Sequence, residues 1–325
     1  MGRRGQKIAS RILDGAEAEG RFAFAIERFE ARSLQRACAA GEAVEVSRGY
    51  FARVCYHDGL PRRARAMHLI RAVARKHPSW VFASFSAALV YGLQVSNGLT
   101  DVVHLAMSEC ENRSVGDGRF HCHLVRDASF VTVAGIRVTP LKTTLLDCLC
   151  QANFSQGLAI ADSALHWRLV DADGLREHVE RSGFRRKGIR TARRVLRWMD
   201  GRSDNGGESM ARAVMIELGF QLPELQVEVA DPLTPGGMWR VDFCWRLPDG
   251  RVVIGELDGG GKYLADGEGA AEALDHMRRE RLRESRLNLT GAMVIRFSFE
   301  QAMDRAYMER LLTNAGVPRR VDACL

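Results

Sequence analysis

Apolar positions recur at helical spacing over residues 63–93 and 140–199, whereas 101–138 breaks into short runs that read as several strands. Nearer the start, 23–30 is predicted helical, and Ser33 is placed to cap a second helix over 34–40 that Gly41 ends. Residues 44–46 and 50–54, joined through Ser47-Arg48-Gly49, read as a β-hairpin. Residues 208–218 form the next predicted helix, followed by strands near 225–230, 239–247 and 251–258. A helix over 271–287, a strand over 292–298 and a helix from Glu300 complete the pattern. The polar, Gly-rich stretch 200–207 lies between two helical patterns and reads as a linker. The prediction is a multi-domain α+β chain: an N-terminal domain over 1–60, a mixed α/β region over 61–199, and a C-terminal α/β domain over 208–325.

Composition agrees with a folded chain of more than one core. The 325 residues are 46% hydrophobic and 27% charged, which excludes wholesale disorder, and single cores rarely extend past ~250–300 residues. The eight cysteines are scattered without any C-x-x-C pair, so neither a disulfide framework nor a zinc site is expected. The first residues lack an apolar signal region, and the most apolar stretch, 80–93, is too short and too rich in Ser to span a bilayer. A cytoplasmic protein without membrane partners is the expectation.

Charge sharpens the picture. The formal net charge is +7, and 42 of the 47 basic residues are Arg. The segment 181–198 holds eight basic residues and no acid, so the rest of the chain sums to −1. Drawn as a helix, this segment puts Arg186, Arg190, Arg194 and Arg197 on one side and Ile189, Ala192, Leu196 and Met199 on another. An outward Arg row follows a phosphate backbone without reading sequence. Local acidic partners at i+4, which would make the helix self-satisfied, are missing.

The N-terminal pattern of two helices followed by an Arg-bearing hairpin outlines a winged helix. Arg32, Gln35 and Arg36 would then lie near bases in the major groove, and Arg48 on the wing near phosphate. A small helical domain with a solvated basic surface has the same pattern. The string from Ala39 through Glu42-Ala-Val-Glu-Val-Ser-Arg-Gly-Tyr-Phe-Ala52 resembles the type IV abortive-infection antitoxin family. So do Ser84-Phe-Ser-Ala-Ala-Leu-Val-Tyr-Gly-Leu93 and Thr139-Pro-Leu-Lys-Thr-Thr-Leu-Leu-Asp147. The resemblance covers about residues 20–199. It implies a DNA-binding winged helix acting at the promoter of its own operon, with a cognate toxin gene product as partner.

Four acids stand out after residue 207. Glu208 opens a helix, Asp242 interrupts the apolar strand Trp239-Arg-Val-Asp-Phe-Cys-Trp245, and Glu256 and Asp258 close the strand Arg251-Val-Val-Ile-Gly-Glu-Leu-Asp258. On that last strand Val252, Ile254, Glu256 and Asp258 share a face, so the two acids point the same way ~7 Å apart. A lone charge in an apolar strand is expensive, and a magnesium ion shared by Asp242 and Glu256 would satisfy both while leaving positions for waters and phosphate.

Helix Glu, strand Asp and strand Glu-x-Asp resemble the PD-(D/E)XK nuclease core. Residues 205–300 are closer still to the domain related to very-short-patch-repair endonucleases. The matching blocks are Gly207-Glu-Ser, Leu222-Pro-Glu-Leu-Gln226, Arg240-Val-Asp-Phe243, Glu256-Leu-Asp-Gly259 with Lys262-Tyr263, and 278–284 leading to 294–297. The resemblance implies a restriction-endonuclease-like domain in which Asp242 and Glu256 hold metal and Glu208 orients water or metal. Lys262 stands near where relatives carry His. Asp258 departs from the pattern, standing where the water-activating Lys is usual and adding repulsion toward phosphate. The helix that follows places His276, Arg279, Arg283 and Arg286 on one face, suited to a DNA backbone or to pairing with Glu280 and Glu284. Two functions lead: a magnesium-dependent endonuclease acting on DNA, and an antitoxin-like transcriptional repressor whose nuclease-like domain is silent. An RNA-acting or defence-linked nuclease is a third, since nothing in the sequence separates DNA from RNA.

Overall fold

The computed structural model describes residues 3–107, 118–124, 129–258, 282–283 and 285–320. It is a mixed α+β chain with three sheets among the described residues. The chain divides into two compact units, one of residues 1–151 with 177–186, the other of residues 152–176 with 187–325.

The first unit opens with α1 (Arg3–Ala18) and α2 (Arg28–Ala39), followed by the antiparallel hairpin β1 (Ala43–Ser47) and β2 (Tyr50–Arg53). Ala9, Leu13 and Ala16 of α1 pack with Leu34 and Ala37 of α2 and with Phe51. Ala23 pairs with Phe51 through two backbone hydrogen bonds of 2.8 and 2.7 Å, adding a third short extended segment to the hairpin. Two expectations are corrected here. Residues 23–30 are not a separate helix, because α2 starts at Arg28, where the Glu30 carboxylate accepts the N–H groups of Ile26 and Glu27. Ser33 is therefore inside α2 and no cap; its hydroxyl donates back to the Phe29 carbonyl.

Next come α3 (Val54–Gly59), α4 (Arg62–Lys76), β3 (Val81–Phe82) and α5 (Ser84–Val90). The helical pattern over 63–93 is thus divided between α4 and α5 by Pro78 and a two-residue strand. The sheet is completed by β4 (Val103–Met107), β5 (Phe120–Leu124), β6 (Val131–Val133) and β7 (Ile136–Val138), in the order β5-β4-β3-β7-β6. The turn between β6 and β7 has Ala134 and Gly135 both at positive φ, the two-residue form that matches strand twist. Helix α6 (Leu141–Gln151) closes this unit's first segment.

The second unit takes α7 (Phe154–His166), then, beyond α8 (Ala172–Ser182), α9 (Ile189–Trp198) and α10 (Gly206–Glu217). Its sheet comprises β8 (Glu224–Ala230), β9 (Met238–Arg246), β10 (Val252–Asp258) and β11 (Met293–Ser298), ordered β11-β10-β9-β8. The pairs β8–β9 and β9–β10 are antiparallel and β10–β11 is parallel. Helices α11 (Phe299–Met303) and α12 (Arg305–Asn314) follow. Ala211, Val214 and Met215 of α10 pack on Leu225, Phe243, Trp245, Val253 and Phe297 on one sheet face. Val227, Val241, Ile254 and Leu287 pack on the other.

The stretch 200–207 lies within this unit and is not a free tether. The Asp200 N–H donates to the Asp162 carboxylate, Ser203 is buried, and a Cβ on Gly201 would meet Leu165 and the His166 backbone at 2.8–2.9 Å. Gly255 is equally constrained, since a Cβ there would lie 2.9 Å from the ring of Trp245, whose indole N–H is tied to the Gln221 carbonyl. Gly255→Ala is expected to cost about 1–3 kcal/mol in urea denaturation, as overpacking does. A cost below 0.5 kcal/mol would show that the Trp245 ring moves freely.

Candidate functional site

The candidate site forms where the two antiparallel strands β8 and β9 exchange faces. Leu225 and Val227 would share a face in a regular strand, yet they belong to opposite apolar clusters, as do Phe243 and Val241 opposite them. Between them Gln226 stands opposite Asp242 and has φ of +53°, a left-handed conformation costly for a residue with a Cβ. This local reversal frees the Gln226 and Asp242 side chains from either core and aims them at each other.

The Gln226 amide donates to Glu208 at 2.9 Å and to Asp242 at 3.3 Å, bridging a helix acid and a strand acid. Glu208 is held further by the Asp204 N–H at 2.8 Å and by the side chain of Asn205, which caps α10 through the Glu208 N–H. The Asp242 carboxylate accepts the Leu257 N–H at 2.9 Å. Glu256 lies one step beyond the Gly255–Phe243 register pair, on the same face as Val252 and Ile254. Arg283 donates to it at 3.1 Å and to the Arg240 carbonyl at 2.5 Å. Burial pushes the Glu208 carboxyl up to about 7, helped by the nearby Asp242 charge, and burial likewise raises Asp242.

Of the expected set, the structure links Glu208 and Asp242 through Gln226 and places Glu256 on the neighbouring strand, held by Arg283. Asp258 ends the same strand, but Arg296 holds it with two donors at 2.8 and 3.0 Å. Its charge therefore has a partner in the fold, which offsets the repulsion toward phosphate expected of Asp258 when no metal is bound. Lys262 and Arg279 lie outside the described residues. Gln226 was not singled out by sequence reasoning as a site residue. The one signal in the sequence was a polar amide within an otherwise alternating strand.

An all-oxygen donor set of carboxylates fits a hard divalent cation better than a soft one, and Asp242 and Glu256 come from paired neighbouring strands. Asp242 and Glu256 would hold it. Among the described residues no group of three or more His, Cys, Asp or Glu side chains converges as a metal cage. A two-carboxylate magnesium site, which keeps several waters, needs no third.

The Arg positions divide. Arg32, Gln35 and Arg36 are exposed on α2, and Arg48 is exposed in the hairpin turn. The predicted Arg row of 181–198 is corrected: α8 ends at Ser182 and α9 begins only after Gly188, at φ +85°, so Arg186 leaves the row. Arg186 instead pairs with Asp147 at 2.7 Å within the first unit. In the second unit Arg190, Arg194 and Arg197 are on α9, where Arg194 pairs with Glu217 at 3.1 Å and lies 4.0 Å above the Phe154 ring. Acidic partners are therefore present, supplied from distant sequence.

Comparison with known protein families returns no match. The uncharacterized proteins Rv2248 and MT2308, from the H37Rv and CDC 1551 strains of Mycobacterium tuberculosis, are each 33% identical to this chain over 169 residues. The match covers 52% of this chain and 59% of theirs, so the chain spans well under two thirds of the curated relatives it matches. No helix among the described residues is long and apolar enough to cross a membrane.

Proposed function

We propose that this chain binds DNA and hydrolyses its phosphodiester bonds with magnesium, using a PD-(D/E)XK-type centre in the second unit. The observation that carries this reading is the bridge from Glu208 through Gln226 to Asp242 where β8 and β9 exchange faces, with Glu256 on the adjoining strand β10. In this reading Asp242 and Glu256 are the metal ligands. Glu208, whose carboxyl is pushed up to about 7, is suited to accept a proton from an attacking water. Gln226 fixes the separation of Glu208 and Asp242. The metal, when bound, supplies Lewis-acid activation of water and phosphate. Arg283 is suited to stabilise developing phosphoryl charge.

The first unit would supply targeting. Its two helices, three short paired segments and exposed Arg48 match the outline of a winged helix, with Arg32, Gln35 and Arg36 on an open face of α2. Arg190, Arg194 and Arg197 would add backbone contacts.

A second reading, an antitoxin-like repressor with a silent nuclease-like domain, draws on a different observation. Glu256 and Asp258 already carry internal counter-charges, Arg283 and Arg296. Plasmid nicking separates the two. The wild type is expected to nick supercoiled DNA with magnesium and not with chelator, and Asp242→Asn to lower the rate at least about a hundredfold. Salt-sensitive gel shifts without any nicking would replace the nuclease with the repressor. Cleavage that persists in chelator or in Asp242→Asn would overturn the assigned centre.

A further inference from the structure

The first unit contains a cavity of about 500 Å³ that plays no part in the proposed chemistry. That size is within the range of small-molecule sites. Its walls combine an apolar floor with fixed positive charge. Phe22, Val46 and Leu69 are buried beneath it, while Arg62, Arg65 and Arg119 line it against one acid, Asp101.

One stripe of α4, residues Arg62, Arg65, Ala66 and Leu69 at i, i+3, i+4 and i+7, faces the opening. Two of its guanidinium groups are held in place by the protein. Arg62 uses Nε and Nη2 on the Asp101 carboxylate, and Arg65 uses Nε on the Leu60 carbonyl at 2.9 Å and Nη2 on the Asp58 carbonyl at 3.1 Å. In both, Nη1 is left with no partner among the described residues. The first turn of α4 carries no acid to balance these charges. Two pre-positioned donors above an apolar floor, with net positive lining, match an oxyanion attached to a flat apolar body.

We propose that this cavity is a binding site for a small organic anion, with the oxyanion on Arg62 and Arg65 and the apolar body on Phe22, Val46 and Leu69. Val46 belongs to β1, so an occupant would touch the hairpin that carries Arg48. The oxyanion is either a carboxylate or a phosphate monoester, and both engage paired guanidinium donors in the same way.

Isothermal titration of the full chain distinguishes them, with salicylate as the aromatic carboxylate, AMP as the phosphate monoester and adenosine as the uncharged control. At least one anion is expected to bind with Kd below about 1 mM, and adenosine at least about tenfold more weakly. Arg62→Gln and the cavity-filling Ala66→Phe should each weaken that binding about tenfold or more, with Arg62→Gln decisive if Ala66→Phe does not fold. Adenosine binding as tightly as the anions, no binding of either anion at 10 mM, or anion binding untouched by Arg62→Gln would each overturn the assignment.

Discussion

Asp162→Ala is expected to destabilise the second unit by about 3–5 kcal/mol, the cost of leaving a buried charge without its partner. Asp162 on α7 and Arg212 on α10 are 1% and 4% exposed and meet at 2.8 Å. The second Asp162 oxygen accepts the Asp200 N–H at 2.7 Å, so one carboxylate ties α7, the 200–207 stretch and α10 together. Burial pushes its carboxyl up to about 6, with Arg212, the Asp200 N–H and Ser209 pulling the other way. Removing the carboxylate orphans both the guanidinium and an N–H. Removing both charges at once is a different experiment. Asp162→Leu with Arg212→Met should recover most of the loss, because desolvating two ions consumes much of what their attraction returns. Urea denaturation of the single and double variants tests this, and an Asp162→Ala cost under 1 kcal/mol would mean that water reaches the pair.

The same carboxylate explains why 200–207 reads as a linker in the sequence. Gly, Ser, Asp and Asn mark a break in periodicity, and periodicity carries no information about what a polar residue bonds to forty positions away. The basic segment 181–198 failed in a similar way. Local i+4 logic finds no acids, whereas Asp147 and Glu217 come from 39 and 23 residues distant. Features that depend on near neighbours were legible. The hairpin of β1 and β2 follows from alternation and Gly49, and the shared face of Val252, Ile254 and Glu256 follows from the two-residue period. Helix α1, whose buried stripe is Ala9, Leu13 and Ala16, was only poorly marked. At the candidate site the acids were legible as residues out of place in apolar strands. Gln226 was not, since its role depends on a left-handed backbone at a residue that rarely adopts one and on register with Asp242.

Acidification from pH 7 to pH 5 is expected to destabilise the first unit by about 2–3 kcal/mol through a histidine cluster on β4 and β5. His104 is paired in register with His121, and its Nδ1 lies 2.9 Å from Nε2 of His123. The three rings pack at centroid distances of 4.7–5.5 Å, with Phe85 edge-on to His104. Burial lowers His104 from 6.5 to about 3, with His123 and His121 adding repulsion. Burial, then His121 and Arg186, lower His123 to about 4. The unfolded chain therefore takes up protons at both positions below about pH 6.5, while the folded unit resists them until about pH 4. Stability that is complete above pH 6.5 is lost as pH falls toward the folded values; the figure given allows for the partly exposed His123 ring. Asp162 and Glu208 in the second unit act in the opposite sense, because raised carboxyls gain relative stability on protonation, and Asp147 and Glu17 do the same in the first. A whole-chain melt would mix the two responses. Hydrogen exchange in residues 103–107 and 120–124, followed at pH 7, 6 and 5 after correction for intrinsic rates, isolates the first unit. Opening free energy there should fall steeply with pH in the wild type and less steeply in a His104→Leu/His123→Leu variant, which keeps His68, His77 and His178 of the same unit, all lowered by burial. An equal slope in both proteins would remove the cluster as the cause.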